Sequence, residues 1–178
     1  MPGPLVHSPA DVLRYTLVSL GVGTLPSVNG NWPIFATNEP ETPDELITLY
    51  DTMPWVRGRS QPDGEVQEHH GVQVRVRAGH PALGFKKCWE VAQALDLQVH
   101  HLNVTVPIQT IGFGINAQTV PAANYHVWAI SRHARNRQGA SGFLYLGKER
   151  SQTVANDITT QSARDIFSLN TLVSLRMV

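Results

Sequence analysis

Histidine is the residue type with the widest chemical scope here. Eight occur: His7, His69, His70, His80, His100, His101, His126 and His133. An imidazole can ligate a metal or carry a proton near neutral pH. His69-His70 and His100-His101 are adjacent pairs. Neighbours on a strand point to opposite faces, so each pair offers one ligand per face. A cross-strand site from Glu68, His69 and His101 is conceivable. The chain has no H-E-x-x-H, no pair of cysteines and no facial-triad spacing, which are the spacings that hold a metal. No metal or cofactor is therefore expected, and the histidines read as strand-end residues that hydrogen-bond locally. Cys88 sits in an apolar helical pattern and reads as a buried thiol, as free cysteines usually are. G-x-S-x-G and G-x-x-x-x-G-K-[ST] are both absent. Gly112-Phe113-Gly114 is a lone G-x-G with no following helix. Carboxylates are sparse, and Asp63 and Glu65 lie in a turn. No catalytic residue is assigned, and the expectation is a protein that is not an enzyme.

Charge points the same way. Lysine plus arginine and aspartate plus glutamate both number 14, which argues against generic phosphate binding driven by excess cations. Only Lys86, Lys87 and Lys148 are lysines. Arginine is favoured at interfaces because its planar fork makes bidentate contacts and stacks on aromatics. Arg57, Arg59, Arg75 and Arg77 precede or line one strand, and Arg132, Arg135 and Arg137 crowd a hairpin. They read either as a solvated face balanced by Glu65, Glu68 and Glu149, or as charged contact to a partner subunit or the mild lining of a DNA passage. Trp55 and Phe113 lie in loops, where exposed aromatics in a rim of arginines resemble interface anchors.

The elements that must position these residues follow from pattern. Ser8-Pro9-Ala10-Asp11 starts a helix whose core stripe is Val12, Leu13, Leu17 and Leu20, and Gly21 and Gly23 end it. Trp32 to Thr37 and Leu46 to Tyr50 read as short strands, separated by a loop from Asn38 to Asp44. Met53 to His70 reads as a long polar loop, with Pro62-Asp63-Gly64 as turn chemistry. Val72 to Arg77 alternates, with valines on one side and Gln73, Arg75 and Arg77 on a basic solvent side. Pro81 opens a second helix to about Leu97 with Phe85, Cys88, Val91, Ala92 and Leu95 as its core stripe. Strands follow at Val99 to Val106, Asn124 to His133, Phe143 to Lys148 and Phe167 to Met177. Pro107 to Ala123, carrying Ile111, Phe113 and Ile115, is an apolar loop that suggests contact with another chain. Ala134 to Gly142 reads as a polar hairpin loop, and Glu149 to Asp165 as a second long polar loop. The fold class is α/β in the α+β sense: a mixed, mostly antiparallel sheet flanked by two helices, with long interaction loops. Residues 1–178 form one domain.

The segments PADVLRYTLVSLGVGT, WPIFATNEPETPDELITLYDT, GRSQPDGEVQEHHGVQVRVR and FSLNTLVSLRMV, taken in order, resemble the tail terminator or minor capsid protein family of bacteriophages with long non-contractile tails. The matching positions are Gly58, Arg59, Asp63, Gly64, Glu65, Glu68, His69, Gly71 and Gln73, with Leu169, Asn170 and Leu172 near the C-terminus. That resemblance implies a small α/β domain that forms a homohexameric ring, caps the tail tube, ends its polymerisation and joins the tail to the head connector. The implied partners are other copies of the chain, the major tail tube protein and the head–tail connector or stopper protein, with genomic DNA passing through the lumen unread. It implies no catalytic residues and no cofactor. The segments 107–123 and 149–165 are enlargements relative to the family pattern. A closed ring needs different patches on the two sides of each subunit, and Arg59, Arg75 and Arg77 facing Glu65 or Glu68 of a neighbour would supply them. The interface expectation therefore covers Trp55, Arg57, Arg59, Asp63, Glu65, Glu68, Arg75, Arg77, Ile111, Phe113, Ile115, Arg135 and Arg137. The N-terminus lacks the pattern of a secretory signal, no apolar run is long enough to cross a membrane, and the expected location is the virion after synthesis in the host cytoplasm. A head-completion stopper bound to the portal complex is the alternative within this class. A small metal-dependent enzyme using the histidines is the competitor from outside it.

Overall fold

The structure is a computed structural model. It describes residues 5–28, 30–59, 66–98, 101–111, 114, 117–132, 142–155 and 158–178, with the backbone alone at 55–59, 66–68, 97–98, 129, 131–132, 151–155 and 158–162. It has the expected α+β architecture. Helix α1 spans Pro9–Ser19, and the Ser8 hydroxyl accepts the Asp11 N–H at 3.1 Å as its N-cap. Its end is a Schellman turn: Gly21 sits at φ 73°, its N–H bonds Val18 O, and the Val22 N–H bonds Leu17 O. Helix α2 spans Pro81–Gln93, capped by His80, and runs on through a π-turn over Ala94–Gln98.

The main sheet is ordered β1-β2-β3-β9-β7-β4, with β8 also paired to β9. Its strands are β1 (Ile34–Ala36), β2 (Leu46–Arg59), β3 (Val66–Ala78), β4 (Leu102–Val106), β7 (Ala123–Arg132), β8 (Leu144–Ala155) and β9 (Ile158–Met177). β1 and β2 pair in parallel, and the other pairings in this sheet are antiparallel. Helix α1 packs against β1, β2, β3 and β4, which include both edges of the sheet. The sheet therefore curls around the helix, and Val12, Leu13 and Leu17 are fully buried inside the curl with Val72, Val74, Val76, Tyr125 and Val127. Two bonds fix the start of α1 within it. The Asp51 carboxylate accepts the Ala10 N–H at 2.8 Å, and the Tyr125 hydroxyl accepts the His7 N–H at 2.9 Å.

Two expected loops are strands instead. Residues 53–70 belong mostly to a β2–β3 hairpin, in which Trp55 pairs with His69 and Arg59 with Val66. Residues 149–165 belong mostly to a β8–β9 hairpin paired from Glu149–Arg164 to Ala155–Ile158. β3 pairs with β9 only from His70–Val173 to Ala78–Asp165. Each hairpin therefore runs past the shared sheet, and the two do so at opposite ends. Neither stretch has an apolar period in its sequence, and without that period a strand leaves little trace.

The apolar segment 107–123 holds a small antiparallel pair, β5 (Gln109–Ile111) with β6 (Gln118–Val120), and Ile108 and Ile111 are exposed. Helix α2 also differs from expectation. Cys88, Val91, Ala92 and Leu95 are buried, but Phe85 is 52% exposed. The helix rests on Gly84, where an added Cβ would collide with the Phe167 ring. That close approach turns Phe85 outward, where Trp89 lies one turn further along.

Candidate interaction face

Helices α1 and α2 cover one side of the sheet, and the opposite side carries a polar cluster beside the buried Leu46 and Ile166. Alternation sends Val72, Val74 and Val76 inward and Arg75 and Arg77 outward. Arg77 is nevertheless only 3% exposed. The connection 37–45, which returns the chain from β1 to its parallel neighbour β2, folds over it. Arg77 Nη1 donates to Glu39 Oε1 at 3.2 Å, and Nη2 donates to the carbonyls of Pro40 (2.8 Å), Glu41 (3.0 Å) and Pro43 (2.7 Å). One nitrogen with two hydrogens serves three acceptors, so at least one bond is shared. Burial, then the neighbouring Arg164 guanidinium, pull the Arg77 pKa below its ordinary value, while Glu39, Glu149 and Asp44 oppose the shift.

Arg75 completes the cluster, with Glu39 Oε2 at 3.2 Å and Glu149 at 3.7 Å. Glu39 also accepts from the Tyr50 hydroxyl at 3.0 Å, and burial followed by this carboxylate raises the Tyr50 pKa. Arg164 Nε stands 2.6 Å from Asp44 as an ion pair without hydrogen-bond alignment. Glu39, Glu41, Tyr50 and Glu149, with Arg75, Arg77, Arg150 and Arg164, line an open polar hollow of about 470 Å³. Arg75, Arg77 and Arg164 are each paired within the chain, so the cluster anchors the 37–45 connection and the root of the β8–β9 hairpin. The basic solvent face expected at Arg75 and Arg77 is thus corrected for Arg77, which is enclosed by its own chain. Of the acids expected to balance these arginines, Glu149 does so. Glu39, Asp44, Tyr50 and Arg164 were not singled out, and the only signals for them were a two-proline loop and a polar tract.

A second polar row runs across β7 and β4 at the sheet edge. Register places Asn103 opposite His126 and Thr105 opposite Asn124. Thr105 Oγ1 donates to Asn124 Oδ1 at 2.8 Å, His126 Nδ1 lies 2.7 Å from Asn103 Oδ1, and His126 Nε2 lies 3.1 Å from His101 Nδ1. The His126 ring also stacks on Trp128. The conceived site of Glu68, His69 and His101 does not assemble: His69 bonds the Ser174 hydroxyl at 2.7 Å, and His101 meets His126 instead. Among the described residues no three His, Cys, Asp or Glu side chains converge as metal ligands. Cys88 is buried, and burial lifts its thiol far above the ordinary range, the environment of a structural cysteine.

The remaining expected interface residues divide into two groups. Trp55, Arg57, Arg59 and Glu68 lie on the β2–β3 hairpin beyond the shared sheet. Asp63, Glu65, Phe113, Ile115, Arg135 and Arg137 lie outside the described residues. Missed by sequence reading is the exposed apolar group on α2, comprising Leu83, Phe85 and Trp89. No helix among the described residues is long and apolar enough to cross a membrane. Comparison of the chain with known protein families gave no match, and neither did comparison with curated proteins.

Proposed function

We propose that this chain is a structural protein of a phage neck. Copies close into a ring, six by the family resemblance, that caps the tail tube, ends its growth and presents the surface that meets the head connector. The observation that carries this reading is the pair of hairpins leaving the shared sheet at opposite ends. An isolated two-stranded hairpin is marginal in water. Hairpins this long gain by lying against something else, and opposite ends suit different neighbours, as a head-to-tail ring demands. Phe85, Trp89 and Leu83 on α2, with Ile108 and Ile111 near the β5–β6 pair, add exposed apolar surface of the kind that anchors subunit contacts. The partners are further copies, the tail tube protein and the connector, with DNA crossing the lumen without sequence-specific contact.

Co-sedimentation tests this reading. The purified chain, mixed with isolated tail tubes or with portal–adaptor complexes, is expected to pellet with the tubes. Pelleting with portals alone would assign it to the stopper position, and pelleting with neither would refute the neck reading.

A further inference from the structure

We propose that His101 and His126 form a surface site for a borderline divalent transition-metal ion, of the copper, nickel or zinc class. The proposal is independent of the assembly reading. Asn103 Oδ1, 2.7 Å from His126 Nδ1, is an acceptor, so the His126 ring proton sits on Nδ1 and the lone pair on Nε2. A carbonyl oxygen holding the far nitrogen in this way is the usual support of a metal-bound imidazole. The freed Nε2 lies 3.1 Å from His101 Nδ1, with ring centroids 5.3 Å apart, His101 exposed and His126 half-buried. An ion about 2.1 Å from each nitrogen would see the pair at roughly 95°, the angle of two adjacent ligands.

The backbone supports the same placement. His101 is held at φ 51° just before β4, a left-handed conformation uncommon outside glycine. Strain of that kind collects where a side chain must be aimed. The donor set then selects the ion. Both ligands are imidazoles and no carboxylate joins them among the described residues, while Arg176 lies opposite His126 on β9. A hard cation held by charge is disfavoured there, whereas dative bonding to nitrogen suits copper, nickel and zinc. Water completes the coordination, since no third protein ligand converges among the described residues.

The test is calorimetric titration of the full chain with Cu²⁺, Zn²⁺ and Mg²⁺ as simple salts, paired with electron paramagnetic resonance of the Cu²⁺ form. One equivalent of Cu²⁺ or Zn²⁺ is expected to bind, with two nitrogen ligands in the copper spectrum and no Mg²⁺ binding. His101→Gln and His126→Gln should each weaken that event at least tenfold, and Asn103→Ala by about tenfold or more, the usual effect of losing a supporting partner. His101 and Asn103 are exposed and His126 is half-buried, and unchanged circular dichroism will establish that the variants fold. Affinity unchanged in both histidine variants, a copper spectrum with other than two nitrogens, or no binding would each overturn the proposal.

Discussion

Replacing Arg77 by methionine keeps an apolar stem in place and removes only the guanidinium. One charge-assisted bond to Glu39 and the Nη2 bonds to three carbonyls disappear. Glu39 is not orphaned, because Arg75 at 3.2 Å and the Tyr50 hydroxyl at 3.0 Å still reach it. The charge-assisted bond is therefore worth about 1.5 kcal/mol, the low end of its range. The two N–H groups shared among the carbonyls add about 1 kcal/mol each, softened because Glu41 and Pro43 are exposed enough for water to replace them. The sum is about 3 kcal/mol, at the lower edge of what breaking a buried ion pair costs. In a chain of this length that lowers Tm by about 6–12 °C. Urea unfolding with a shared m-value reads it directly. Arg75→Met is the control: at 27% exposure its pairs are largely screened, and it should cost about 1 kcal/mol or less. A loss under about 0.5 kcal/mol for Arg77→Met, or a larger loss for Arg75→Met, would refute the view that one arginine clamps the 37–45 connection.

Burial lowers the pKa of His7 below 6.5 despite Asp11 nearby. The unfolded chain thus takes up this proton first, and the stability His7 confers is complete above pH 6.5 and lost as pH falls through its folded-state pKa. Stability should drop by up to about 1.4 kcal/mol per pH unit in that window, and an unchanged slope in His7→Gln would exclude His7 as its source. Gly84→Ala drives a methyl into the Phe167 ring and should cost about 1–2 kcal/mol despite alanine's better helix propensity; a variant as stable as the parent would show that α2 does not rest there. The Cys88 thiol, buried with its pKa raised, should resist thiol reagents in the native chain and react only on unfolding, whereas stoichiometric labelling within minutes at pH 8 would contradict its burial.

What the sequence made legible was whatever touches the core. The Ser8 cap, the proline at each helix start and the inward set Phe167, Leu169, Val173 and Leu175 on β9 lie as expected. Each is a local rule acting against a continuous apolar surface. The hairpins at 53–70 and 149–165 were illegible as strands, because their polar sequences show no apolar alternation although the backbones pair. Arg77 lies on the solvent side by parity, and its enclosure depends on residues 40–43 folding back, a tertiary fact that alternation does not encode. Phe85 read as core because it is large and apolar; a glycine contact set the rotation of α2 instead. His101 and His126 meet only through the β4–β7 register, so their separation in sequence hid them while the adjacent pairs drew attention. The Arg75–Glu149 pairing was within reach, since both residues stood in the charge balance from the outset.

Imaging isolated tail tubes incubated with the purified chain in negative stain tests the ring-capping assignment most directly. The prediction is a six-fold ring of this protein at one end of each tube, with no further tube growth from that end when tube protein is added. Bare tube ends that continue to elongate in the presence of excess protein would contradict it.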